Sequence, residues 1–179
     1  ICEYLASCQK GGWGGAVRTL PPMLTLLGSG NEKYLPNVKR AAHSILGIKP
    51  YGKGLYNWGL TYTAIALGEY YLATGDSAVL DTMRNVSIGL AFNQSGDFSF
   101  CHGKLFPTHS AYPELGIMNG QAAMAWGYIK MCGVELEEHR YEMLLKRLRF
   151  HTRPDGHVSY ARPSYPGWDY DPPGPWSSG

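Results

Sequence analysis

The side chains best suited to chemistry in this 179-residue chain are a few acids and histidines set among aromatic residues. His102 follows Cys101, and an imidazole that titrates near neutrality can both take and give a proton. Glu114 lies just ahead of an apolar run, while Asp169 and Asp171 sit in an aromatic, proline-rich stretch. A general acid and a general base supplied from opposite loops can cleave a glycosidic bond. His102, Glu114, Asp169 and Asp171 are therefore the candidate catalytic residues. A second set could hold a ligand: Trp13, Tyr56, Trp58, His109, Tyr112, Asn119, Gln121, Tyr160 and Trp168. Aromatic surfaces with a few convergent polar groups suit a sugar or a peptide. Each set also has a plainer reading. Loop acids cap helices, turn tryptophans wedge between repeats, and Asn119 and Gln121 at a helix start satisfy backbone groups.

Such residues need a frame, and the sequence makes it helical. Residues 58–74 are apolar almost all round, which predicts a helix buried on most sides. Gly75 supplies a left-handed stop, and Asp76 or Ser77 starts the next helix. Across 77–93, Val79, Met83, Val86 and Leu90 share one stripe, with Asp81, Arg84 and Asn85 facing away. The same pairing recurs downstream. Residues 117–132 are nearly all apolar and end at Gly133, whereas 136–151 are amphipathic, with Tyr141, Leu144, Leu145 and Leu148 at helical spacing. Glu137 and Glu138 occupy its first turn and Lys146, Arg147 and Arg149 its last, matching the helix dipole.

Upstream, 16–28 and 33–46 make an earlier pair, with Leu35, Val38, Ala42 and Ile45 on a stripe. Pro21-Pro22 should start or kink the first of these helices. Ile1-Cys2-Glu3-Tyr4-Leu5 reads as the inside of a helix, and residues 158–160 as a short extended piece. Glu69, an acid within an apolar helix, should face a lumen or bond to a neighbouring repeat.

Buried helix, short turn, amphipathic helix and longer loop, repeated, predict an all-α fold: an α/α toroid with inner and outer helix layers. It is expected as a single domain over residues 1–179, truncated at both ends and forming an incomplete ring of about seven helices. If the inner helices run the same way, loops 10–15, 51–58, 95–117 and 152–179 gather at one rim, together with unsatisfied N–H groups and positive dipole ends. The loops themselves echo one another. Gly11-Gly12-Trp13-Gly14 precedes one inner helix and Tyr56-Asn57-Trp58-Gly59 another, and Gln94-Ser-Gly96-Asp97-Phe98 repeats the pattern of Gln9-Lys-Gly11-Gly12-Trp13.

Those glutamine-glycine-aromatic turns between helices look like the Gln-x-x-Gly-x-Trp repeats of terpenoid cyclases and protein prenyltransferases, which are α/α toroids. A closer resemblance is to an uncharacterised bacterial family, classed as a domain of unknown function, with a similar toroid. It is carried by Asn57-Trp58-Gly59, Leu67-Gly-Glu-Tyr-Tyr-Leu-Ala-Thr-Gly-Asp76, Met118-Asn119-Gly120-Gln121 and Cys132-Gly-Val-Glu135, and by the stretch from Val158 to Gly179. The resemblance implies a fold and no established activity. Cys101-His102-Gly103 also resembles the zinc-binding tripeptide of lanthionine cyclases. Those proteins need a further Cys one repeat earlier, where this chain has Asn57-Trp58-Gly59. No metal and no cofactor is therefore expected, and Asp169-Tyr-Asp171-Pro lacks the last acid of a cyclase's protonating run.

Composition narrows the partners. Sixteen Lys+Arg against 14 Asp+Glu, with no basic block, give no electrostatic case for nucleic acid. The longest strongly apolar stretches are interrupted by Gly, Thr and Glu, so no membrane span is expected. The four cysteines form neither a paired zinc pattern nor a dense disulfide scaffold and assign no compartment. The expected partners are a small-molecule, glycan or peptide ligand and the remainder of a longer parent chain. Three functions follow from these residues: a carbohydrate-active hydrolase or lyase, a non-catalytic glycan- or peptide-binding or scaffolding module, and a zinc-dependent cyclase-like enzyme.

Overall fold

A computed structural model describes residues 1–49, 56–102, 114–152 and 155–156. Seven α-helices appear among them: α1 (Cys2–Ser7), α2 (Gly15–Gly28), α3 (Leu35–Ser44), α4 (Asn57–Thr74), α5 (Leu80–Asn93), α6 (Gly116–Met131) and α7 (Glu138–His151). Short 3-10 turns, Glu32–Tyr34 and Ser77–Val79, lead into α3 and α5. No strand occurs among the described residues, so the all-α expectation holds. The extended piece expected at 158–160 lies outside them.

Local chemistry sets the helix ends. Gly75 adopts φ 69° after α4, a left-handed conformation open to glycine at no steric cost. The Asp76 carboxylate then accepts the Ala78 N–H and opens the next turn. Pro21 and Pro22 neither start nor end α2, which runs through both. They remove the N–H partners of the Val17 and Arg18 carbonyls, but those two residues are exposed, so solvent can take up the carbonyls.

The helices form two layers. Ten residues of α4 are buried, and α4 packs chiefly against α2 on one side and α6 on the other. Near their starts, Thr61 of α4 donates to Gln121 of α6; near their ends, Tyr128 of α6 donates to Glu69 of α4. The two helices are therefore parallel. The last turns of α2 (Leu24, Leu27, Gly28) meet Glu69, Leu72 and Ala73 of α4, so α2 runs the same way. α5 and α7 return antiparallel: Asn93, ending α5, bonds to Asn57 at the start of α4, and Arg147, late in α7, bonds to Glu114 just ahead of α6. This packing is consistent with the toroid.

The outer stripes follow the predicted periodicity with two corrections. Val79, Met83, Val86 and Leu90 are all fully buried. Leu35 and Leu145, expected on stripes, are each 41% exposed. Tyr34 replaces Leu35 on the face of Val38, Ala42 and Ile45, because it lies one full turn before Val38. Leu145 is rotated about 100° from buried Leu144, whose own face is shared with Tyr141 and Leu148. Among the described residues Trp126 is the largest fully buried side chain, edge-on to Phe100 (5.6 Å) and Tyr141 (6.3 Å).

At one point the inner helices nearly touch. A Cβ on Gly68 would lie 2.7 Å from the Tyr128 Cβ, so only glycine permits this α4–α6 spacing. No helix among the described residues is long and apolar enough to cross a membrane.

Candidate functional site

The N-terminal ends of α4 and α6 are bridged by a short strap, residues 99–102, which gives its polar groups to both helices. The Phe100 carbonyl accepts the Leu115 N–H (2.9 Å), and the His102 carbonyl accepts the Asn57 N–H (2.9 Å). These are N–H groups that a helix cannot satisfy internally. Two buried asparagines lock the strap from the helix side. Asn57 Nδ2 donates to the Cys101 carbonyl (2.6 Å), and Asn119 Oδ1 accepts the Phe100 N–H (2.7 Å). Asn57 Oδ1 also accepts from Asn93 Nδ2 (2.9 Å), tying in the end of α5. Asn57 and Asn119 are fully buried, where an amide left without partners would be costly.

The strap delivers His102 onto Trp58. The indole N–H donates to His102 Nδ1 (2.8 Å), and the two rings stack with centroids 6.0 Å apart. With Nδ1 accepting, a neutral His102 carries its proton on Nε2. Tyr62, one turn along α4, lies 6.2 Å from Trp58. Thr61 Oγ1 contacts both the Trp58 carbonyl and Gln121 Oε1, each at 3.2 Å. This leaves the half-buried Gln121 NH2 with no partner among the described residues. Tyr56 stands beside this group before the first turn of α4, 64% exposed. Trp58, Tyr56, His102, Gln121 and Asn119 thus share one rim, as parallel inner helices require.

Glu114 occupies a different position in that rim. It is 2% exposed and faces Arg147, whose Nε donates to Oε1 (2.6 Å) and whose second nitrogen reaches Oε2. Asn119 Nδ2 also donates to Glu114 Oε1 (2.9 Å). Arg147 continues to Asp97 Oδ2 (3.1 Å), and Asp97 accepts from Ser95 and Ser99. Glu114 raises the affinity of Arg147 for its proton through this hydrogen bond and its charge. Partial burial pushes the Asp97 carboxyl up, but the Ser95 and Ser99 hydroxyls and the Arg147 charge outweigh it and hold the acid below its usual range. The cluster fixes the 95–99 turn, where Phe98 adopts a left-handed φ of 65°. Glu114 therefore orients Asn119 and, through it, the strap.

Trp13 packs against the core near the start of α2, with its indole Nε1 buried and without a partner among the described residues. The glutamine echo in the loops has a structural meaning. Gln9 Nε2 donates to the main-chain carbonyl of Asn37 in α3 (2.9 Å) and Gln9 Oε1 accepts from Asn37 Nδ2 (2.8 Å), while Gln94 accepts from the Arg140 side chain of α7 and donates to its carbonyl. Each glutamine, placed before an inner helix, ties its turn to the outer helix that follows.

His109, Tyr112, Tyr160, Trp168, Asp169 and Asp171 lie outside the described residues. Among those described, no three His, Cys, Asp or Glu side chains gather to hold a metal, and Cys101 is buried within the strap. Asn57, Asn93, Asp97 and Arg147 carry the rim but were not among the expected site residues. Asn57 did carry a signal: an amide opening an otherwise apolar inner helix. Arg147 read only as a favourable dipole charge.

Residues 1–166 match a family described as Domain of unknown function (DUF6288). No curated protein matches the chain, and no solved structure does.

Proposed function

From the premise that the chain belongs to the DUF6288 family, we propose that the rim at the N-terminal ends of α4 and α6 binds a glycan. The observation that carries this reading is the Trp58–His102 pair: an indole held in place by its own N–H, half-exposed, beside Tyr62 and a Gln121 amide with donors to spare. A fixed aromatic face accepts the C–H face of a sugar ring, and an adjacent amide and imidazole N–H bind its hydroxyls. Ordering these groups in advance reduces what binding costs in side-chain freedom.

The binding reading takes precedence over catalysis because Glu114 is committed to Arg147 and Asn119 rather than open to a ligand. One observation favours a hydrolase or lyase as the second reading. His102 is exposed, with Nδ1 engaged and Nε2 without a partner among the described residues, which suits proton exchange with a ligand.

Titration of the chain with a panel of neutral and acidic oligosaccharides by calorimetry tests the proposal. At least one should bind, and Trp58→Ala should weaken it about 30-fold, the loss typical of a central aromatic anchor. Binding by no oligosaccharide, or binding indifferent to Trp58→Ala and Gln121→Ala together, would overturn it. Turnover of a bound glycan that disappears in His102→Ala would favour the second reading.

A further inference from the structure

At the other end of the inner helices, a groove of about 530 Å³ lies between the last turns of α2 and α4, lined by Leu24, Leu27, Gly28, Glu69, Leu72 and Ala73. Its size falls in the range of small-molecule sites. Glu69 lies eleven residues beyond Trp58 on α4, so about 16 Å of helix separates the groove from the rim. Its walls are aliphatic, and Leu72 is 45% exposed. Among the described residues its only charged lining residue is Glu69, a carboxylate brought to this face by α4 itself.

The polar geometry selects the ligand. Tyr128 of α6 donates its hydroxyl to Glu69 Oε1, which occupies one carboxylate oxygen and leaves Oε2 with no partner among the described residues. The hydrogen bond to Glu69, then burial, push the Tyr128 phenol up to about 12, so it remains a donor at neutral pH. A guanidinium binds best with a fork across both carboxylate oxygens, and here one is taken. A primary ammonium, a compact charge with three donors, needs only Oε2 and can also reach the phenol oxygen. The parallel α2 and α4 both end here, so their negative dipole ends favour a cation as well. We propose that this groove binds a small primary alkylammonium, its head on Glu69 and its aliphatic stem along Leu24, Leu27 and Leu72. The proposal is independent of the glycan site.

The test uses n-hexylammonium and its neutral counterpart 1-hexanol, titrated into the whole chain and followed by leucine methyl NMR. Hexylammonium should shift the methyls of Leu24, Leu27 and Leu72 and bind at least tenfold more tightly than hexanol. Glu69→Gln keeps an oxygen for the Tyr128 hydroxyl but removes the charge, and should bring the two probes within about twofold of each other. Leu72→Lys places a competing ammonium at an exposed position and should weaken hexylammonium at least tenfold without unfolding the chain. Trp58→Ala should leave it unchanged. Equal affinities for the two probes in the wild-type chain, shifts confined to other methyls, or full hexylammonium binding by Leu72→Lys would each overturn the proposal.

Discussion

Replacing Arg147 by Met separates a structural role for Glu114 from a catalytic one. Met preserves much of the aliphatic stem and deletes the guanidinium. Glu114, 2% exposed, then loses the Arg147 counter-ion, while Asn119 still donates to it. Breaking a buried ion pair from one side costs about 3–5 kcal/mol. The contact to Asp97, which is 52% exposed, adds no more than about 1 kcal/mol. A loss near 4 kcal/mol should lower the melting temperature of a chain this size by roughly 8–16 °C. Urea unfolding followed by far-UV circular dichroism measures the loss directly. The Glu114→Leu/Arg147→Met double variant should recover part of it, since no buried charge is then left uncompensated. An Arg147→Met variant within about 1 kcal/mol of wild type would refute the idea that this pair holds the rim.

Three further outcomes follow from the geometry. The hydrogen bonds from His43 and Tyr70 and the Ala78 N–H hold the Asp76 carboxyl down at about 2, so it stabilises the folded chain above the ordinary carboxyl pKa near 4 and loses that effect as pH falls towards 2. The melting-temperature gap between wild type and Asp76→Asn should therefore close across pH 4 to 2; a gap that stays constant there would contradict it. Gly68→Ala should destabilise by about 1–3 kcal/mol in urea unfolding, because its methyl meets the Tyr128 Cβ, whereas Gly120→Ala, with open space at its Cβ, should stabilise by up to about 1 kcal/mol. His102→Ala should move the Trp58 indole N–H proton resonance upfield, and a resonance that stays in place would show that the bond to Nδ1 is not made.

The helices were legible in the sequence because burial imposes a period that survives without any knowledge of neighbours. The Val79, Met83, Val86 and Leu90 stripe fixed α5, and Gly75 fixed its boundary with α4. Periodicity slipped where two adjacent residues competed for one buried place, as Tyr34 did with Leu35. Pro21-Pro22 do not start α2, because the cost of a proline inside a helix depends on whether the freed carbonyls meet solvent. The shared rim was legible as topology: parallel inner helices place Trp58 and Asn119 together. The partnerships within it were not. Nothing in local sequence pairs Arg147 with Glu114, or Asn57 with a carbonyl of the 99–102 strap, because those distances are set only once three hairpins pack. Glu69 was the exception, since an acid in an apolar helix announces that a partner must exist, and Tyr128 supplies it.

Saturation-transfer NMR between the chain and an oligosaccharide that it binds tests the central claim most directly. Protons of one sugar ring should receive magnetisation from the Trp58 and Tyr62 rings, and the transfer should vanish in Trp58→Ala while the fold persists. Transfer that survives Trp58→Ala unchanged, or that arises only from residues at the Glu69 end of α4, would contradict the placement of the glycan at this rim.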